Sequence, residues 1–320
     1  MAGLRGRVAV VTGAGRGIGG AVAKTLASNG VSVVVNDLGA AVDGSGADAS
    51  PAADTVAAIS EQGGTAVVDG SDISDFASAA GLIQGAIDTF GKLDIVVNTA
   101  GIIRDRMLFN MAEEEWDAVI KVHLKGTFNT IRHAAEYWRN QRDETAANRI
   151  VNFASTSGLF GMPSQPNYAS AKMGVVGLTY VAANTLGKYG VTVNAIAPSA
   201  DTRMTPKAVV ESRAAKPRRA EDVATVVAYL ASTESSWCTG RVIGVSGSEV
   251  SLYSDPQIIR QVDSAQPWDL DALGEALTRN FASVPRSSEG RWEKVRKVVS
   301  GGAVLAEANA GGVTAGGPDQ

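Results

Sequence analysis

Seven short runs in this chain are rich in β-branched residues and apolar at nearly every position: Val8–Val11, Val31–Val35, Ala66–Val68, Leu93–Val97, Arg149–Phe153, Val191–Ile196 and Arg241–Val245. A strand without polar alternates is buried on both faces, a condition met in a parallel sheet that carries helices on each side. The segments between the runs place apolar residues at helical spacing, so strand and helix alternate along the chain. The pattern predicts an α/β fold, a doubly wound seven-stranded parallel sheet with helices on both faces.

Two places break the alternation. Between Leu38 and Pro51 lies a stretch rich in Gly, Ala, Ser and Asp, including Gly39–Gly46, which reads as a surface loop inserted after the second strand. After about Tyr253 the alternation stops, so residues 1–253 form the main domain and 254–320 an extension. That extension holds two amphipathic helix candidates, Trp268–Phe281 and Glu289–Val299, the first with Leu270, Leu273, Leu277 and Phe281 on one face, followed by a Gly/Ala-rich tail. Lys and Arg number 29 against 33 Asp and Glu, with the cations scattered, which argues against a nucleic-acid partner. One cysteine, Cys238, excludes an intramolecular disulfide, and two histidines, His123 and His133, cannot assemble a His/Cys metal cluster, so no metal is expected. No apolar stretch is long enough to span a bilayer, and the first strand begins too early to leave room for a signal peptide; the expectation is a cytoplasmic protein.

The first run ends in Thr12-Gly13-Ala14-Gly15-Arg16-Gly17-Ile18-Gly19-Gly20 and continues into a helical segment from Ala21 to Ser28. Glycines at 13, 17 and 19 allow a tight turn, close approach of the backbone to a pyrophosphate and tight helix packing, while a helix N-terminus offers free N–H groups and a positive dipole end. The arrangement, between strand and helix, is that of a Rossmann-like dinucleotide site. Asp37 closes the second strand a little over twenty positions beyond Gly13, placed to accept from both hydroxyls of an adenosine ribose. It favours NAD, because a 2′-phosphate would meet a carboxylate. Arg16 pulls toward NADP, and Asp37 has the alternative reading of a cap on the turn into the glycine-rich loop.

Tyr168 and Lys172 stand four residues apart, a spacing that stacks a phenol and an ammonium on one face of a helix. A free tyrosine is a poor base at neutrality, and a fixed cation nearby favours its phenolate. With Ser155 thirteen residues before Tyr168, Asn98-Thr99-Ala100-Gly101 after the fourth strand and the glycine-rich start, the chain resembles the short-chain dehydrogenase/reductase family over residues 5 to 250 or so. The resemblance implies Tyr168 as acid/base, Lys172 as the residue that lowers its pKa and holds the nicotinamide ribose, and Ser155 as the hydrogen-bonding partner of the substrate oxygen. It also implies cofactor contacts from Asp72-Ile73 at the adenine, from Asn98, Ala100 and Gly101 on the adenosine side, and from Pro198 to Thr202 at the carboxamide.

Departures from the family pattern are Thr99 for asparagine, Ser199 for glycine after Pro198, and His123 where most relatives carry an asparagine of the catalytic tetrad. His123 is either a member of the proton relay behind Lys172 or a buried histidine satisfied by the backbone. The stretches around His123, Asp37, Arg104 and Thr202, together with the C-terminal extension, resemble the dehydrogenase unit of the peroxisomal multifunctional β-oxidation enzymes, also known as a 17β-hydroxysteroid dehydrogenase. That implies an NAD-dependent oxidation of a lipid-derived secondary alcohol, a 3-hydroxyacyl-CoA thioester or a steroid, in a homodimer or homotetramer. Lys207–Arg219 falls where the family places its mobile substrate loop; its cations either meet CoA phosphates or form a solvated helix face. Two other readings stand beside this one: an NADPH-dependent 3-oxoacyl-carrier-protein reductase, and a nucleotide-binding regulator without turnover.

Overall fold

The computed structural model of the protein describes residues 2–143, 145–202, 205 and 218–285. Lys207, Arg213, Lys216 and the Glu289–Val299 segment therefore lie outside the described residues. The chain divides into two units, one of residues 1–205 and 215–254, the other of 206–214 and 255–320.

The first unit is built on one sheet. All seven apolar runs form strands: β1 (Val8–Thr12), β2 (Ser32–Asn36), β3 (Thr65–Asp69), β4 (Ile95–Asn98), β5 (Asn148–Phe153), β6 (Val191–Ser199) and β7 (Val242–Ser246). They are parallel and stand in the order β3-β2-β1-β4-β5-β6-β7. An eighth strand, β8 (Glu249–Leu252), extends the sheet and was not expected; it pairs antiparallel with β7. The signal was present in Gly247-Ser248, because Ser246 pairs with Glu249 and Gly247 has φ 59°, as a two-residue hairpin requires. Every residue of β8 is exposed, so it lacks the apolar run that marked the other strands.

Both faces of the inner parallel strands are covered, while β3 at the edge is only partly buried, and side chains alternate between the two layers. Ala9, Val11, Val33, Val35, Ile95 and Val97 enter one apolar cluster, with α1 (Gly17–Ser28) and α8 (Ala220–Ala231). Val10, Val34, Val96 and Ile150 enter the other, with α3 (Phe76–Phe90), α5 (Gly126–Gln141) and α7 (Pro166–Leu186). At the carboxyl edge the apolar runs end in register on polar residues, with Thr12 beside both Asn36 and Asn98, and Asn36 beside Asp69. The strand order reverses between β1 and β4, the point where such sheets open a ligand crevice. The remaining helices are α2 (Ser50–Glu61), α4 (Glu113–Ile120) and the short α6 (Thr156–Phe160). Among the described residues no helix is long and apolar enough to cross a membrane.

In the second unit, α9 (Leu270–Phe281) starts two residues later than the apolar pattern alone suggests, because Asp269 caps it by accepting from the Ala272 N–H at 2.9 Å.

The opposite, amino edge of the sheet is held by two buried guanidinium groups. Arg149 is 1% exposed and donates to Ser232 O (2.8 Å), Asn148 O (2.9 Å) and Ser236 Oγ (2.8 Å). Arg7 donates to Ala231 O and Ala147 O, so together they satisfy carbonyls where α8 ends. Burial, then the charge of Arg7, pulls Arg149 down to about 10, which leaves it cationic at neutral pH. Arg149→Ala is expected to lower the unfolding free energy by about 3 kcal/mol, from orphaned carbonyls and a cavity; a fall in the urea midpoint at unchanged slope checks it.

Candidate active site

The turn from β1 into α1 is shaped by what a side chain would hit. Gly13 has φ 62°, and a Cβ there would stand 2.7 Å from Ala100 Cα. A Cβ on Gly19 would meet Gly13 O at 2.2 Å, so the helix packs this close to the strand only with glycine. Arg16, the residue before the helix, has extended backbone and makes no side-chain cap, which leaves the first N–H groups of α1 open to an anion.

Asp37, one residue past β2, stands at the next position along the edge. Its Oδ2 accepts from the Gly15 N–H (2.8 Å) and its Oδ1 from the Gly39 N–H (2.7 Å), so the carboxylate is fixed against the glycine turn with lone pairs left over. It therefore also acts as the turn cap foreseen as its alternative role. Arg16 is drawn the other way, toward Asp48 of the inserted loop at 3.7 Å.

These groups line one cleft of about 370 Å³. Its floor is the turn Gly13, Arg16, Gly17, Ile18 and Gly19, and its sides carry Asp37, Asp72-Ile73, Ala100-Gly101 and Thr202. A dinucleotide fits this shape: glycines where backbone meets phosphate, a carboxylate at the ribose end, an apolar side at Ile73. Four residues expected at the cofactor, Asn98, Tyr168, Lys172 and Pro198, are not among those that line this cleft. Asn98 is buried beneath the cleft, donating to Asn152 Oδ1 (2.9 Å) and accepting from Thr130 Oγ1 (2.7 Å), which ties β4 to β5 and α5. Pro198 sits within β6 opposite Val245 and does not line the cleft. Conversely the inserted loop, read as surface, walls the cleft with Leu38, Ala40, Ala41, Val42 and Gly44. Its glycine-rich composition carries no sign of that role.

Ser155 ends the turn after β5 and caps α6, its Oγ accepting from the Ser157 N–H at 3.1 Å. Tyr168 and Lys172 are in the first turns of α7, which starts at Pro166 with φ already set for a helix. Lys172 is 5% exposed and donates from Nζ to Phe153 O at 2.7 Å, with Nζ 5.6 Å from the centre of the Tyr168 ring. The spacing thus brings phenol and ammonium to one place. Burial pushes Tyr168 up to about 12, a hydrogen bond with Ser155 working against the rise and the Asp105 carboxylate adding to it. Burial likewise brings Lys172 down to about 7. Desolvation disfavours both charges, opposite to the simple expectation that the cation lowers the phenol.

His123 lies in a wide turn, Lys121–Lys125, between α4 and α5, where the Gly126 N–H reaches back to Lys121 O. The ring is 2% exposed and packs edge-on against Tyr168 with centres 5.0 Å apart. A Cβ on Gly101 would strike its Cε1 at 2.2 Å, so this glycine makes room for the imidazole. Nε2 meets both the Ile102 carbonyl oxygen (2.7 Å) and the Ile102 N–H (3.1 Å), donating to the first in one tautomer and accepting from the second in the other. Nδ1 is buried and unpartnered among the described residues. Burial first, then the charge of Lys172, holds the imidazole well below the usual histidine range, hence neutral.

The depressed Lys172 has a stability consequence. Below pH 7 the amine is protonated folded and unfolded and its burial cost is fully present; between about pH 7 and 10 only the unfolded chain takes the proton, so stability rises with pH. Lys172→Met is accordingly expected to raise the melting temperature most below pH 7, the gain shrinking toward pH 10, as calorimetric scans across that range would show.

The family model described as short chain dehydrogenase matches residues 7–212. A hydroxyacyl-CoA dehydrogenase of Mycobacterium tuberculosis, ChsB1, is 44% identical over 290 residues, covering 87% of this chain and 90% of that protein. The peroxisomal multifunctional enzyme type 2 of Mus musculus is 35% identical over 292 residues, 91% of this chain but 36% of that longer protein. A crystal structure of a short chain dehydrogenase from Mycobacterium avium superposes with a TM-score of 0.79 at 44% identity, covering 89% of this chain and 98% of that one. The chain belongs to the short-chain dehydrogenase family, an oxidoreductase that acts on CH–OH groups with a nicotinamide dinucleotide.

Proposed function

We propose that the protein is an NAD-dependent dehydrogenase that oxidises a 3-hydroxyacyl-CoA, from fatty-acyl or steroid side-chain breakdown, to the 3-oxoacyl thioester. The observation that carries the reading is the meeting of Ser155, Tyr168 and Lys172 at the carboxyl edge beside a cleft whose ribose end holds the Asp37 carboxylate. The similarity to a hydroxyacyl-CoA dehydrogenase supports the substrate class. The alternative of an NADPH-dependent 3-oxoacyl-carrier-protein reductase draws on Arg16, whose guanidinium is engaged with Asp48.

In this reading bound NAD supplies the hydride acceptor. Ser155 fixes the substrate oxygen and Tyr168 Oη takes the hydroxyl proton, three groups converging on one C–O bond. Burial raises Tyr168 to about 12, so its ionisation is helped by positive charge beside it, which a protonated Lys172 would supply. His123 Nδ1, buried and unpartnered among the described residues, is the atom through which the imidazole would join a proton relay behind Lys172.

NADH formation is expected with 3-hydroxyacyl-CoA thioesters in preference to free 17β-hydroxysteroids, with saturation at far lower NAD than NADP; preference for NADP would replace this reading by the reductase. Tyr168→Phe is expected to lower turnover by about 10²–10⁴-fold, the range of a lost general base, and retention of most activity sinks the assignment. His123→Ala is expected to displace the acid limb of the pH–rate profile, and an unchanged profile removes it from the relay.

A further inference from the structure

The segment that leaves β4, Ile102 to Arg106, touches both halves of the site. On the cofactor side it grips the inserted loop: the Ile103 N–H donates to Val42 O (2.8 Å), Arg104 Nε donates to Asp43 O (2.8 Å), and a Cβ on Gly44 would stand 2.9 Å from Ile102 Cδ1. That loop is a wall of the cleft. On the other side the segment grips the start of α7. Asn167, fully buried, donates through Nδ2 to Arg104 O (3.0 Å) and Glu115 O (2.9 Å), while its Oδ1 accepts from the Tyr168 N–H (2.7 Å). Gln165 Nε2 clasps both oxygens of Asp105 (3.0 and 2.9 Å), and the Arg106 N–H donates to Ser164 O (2.9 Å). Ile102 also carries the His123 imidazole that packs on the Tyr168 ring.

We propose that Ile102–Arg106 is a positioning strap that sets the Tyr168 hydroxyl against the bound dinucleotide, with Arg104 as the joint on the cofactor side and Asn167 as the joint on the tyrosine side. The proposal rests on the reading of Tyr168 as the base and extends it to a segment whose Ile102 and Arg104 also line the cleft. The inserted loop thereby serves twice, enclosing the adenosine end and, through the strap, steadying the tyrosine. Asparagine suits position 167 because a single amide supplies two donors and one acceptor, and all three are used. Coupling of this kind is carried by contiguous hydrogen bonds and shows as non-additivity between its two ends.

The test uses the full chain with Arg104→Met, Asn167→Ala and the double variant. In the cofactor-free protein, hydrogen exchange at the amides of residues 164–170 is expected to quicken in Arg104→Met, although the substituted side chain bonds none of them. NAD affinity measured by titration calorimetry is expected to fall a few-fold, and kcat at saturating NAD about tenfold, since small misplacements of reacting groups cost rate steeply. The double variant is expected to lose less kcat than the product of the single losses. Weaker NAD binding with exchange and kcat unchanged, or losses that multiply, overturns the strap. Should Arg104→Met fail to fold, Gly44→Ala presses on the same end of the strap and is judged by the same readings. Exchange in the cofactor-free protein is independent of turnover, so failure of the strap shows there while Tyr168 stands as the base, and failure of Tyr168 as the base shows instead in the turnover of Tyr168→Phe.

Discussion

Burying both faces of a parallel sheet dictates most of what this protein can be. An inner strand such as β1 must be apolar on successive residues, as Ala9, Val10 and Val11 are, and its backbone groups must be paired within the sheet. Polar side chains are thereby excluded from the interior of β1, β2 and β4 and collect where the strands stop, at Thr12, Asn36 and Asn98. The strand reversal between β1 and β4 opens a crevice at that edge. The place of the chemistry thus follows from the core.

The same constraint explains why the site charges are so perturbed. Lys172 and His123 are buried against apolar layers, and desolvation acts on both groups before any partner does. A phenol held near 12 and an amine near 7 describe a pair in which neither charge is welcome until something else supplies a compensating field. Arg149 shows the contrasting solution at the far edge, where carbonyl dipoles from Asn148 and Ser232 surround a guanidinium that stays charged.

Much of this was legible in the sequence for definite reasons. The strands announce themselves because double burial removes their polar alternates. Gly13, Gly19 and the Tyr168–Lys172 spacing are readable because each encodes a steric or helical repeat. What escaped was carried by backbone atoms or by burial. β8 has no apolar run to mark it, and the inserted loop looks like any solvated turn although it walls the cleft. Asn98 fits a cofactor motif, and its hydrogen bonds run into the core. The direction of the Tyr168 shift depended on the solvent each group loses, a quantity set by the whole fold.

The wide turn at Lys121–Lys125 holds one residue more than an α-helical turn would. Deleting a residue there would give a smoother helix, yet everything beyond it would swing by about 100° about the axis. Thr130 would lose Asn98, Trp138 would lose Leu93 O, and the apolar stripe of α5 would leave the sheet. The extra residue is therefore locked in by the helix that follows it. A lineage carrying it can change the side chain at 123 far more readily than it can lose the bulge that presents it.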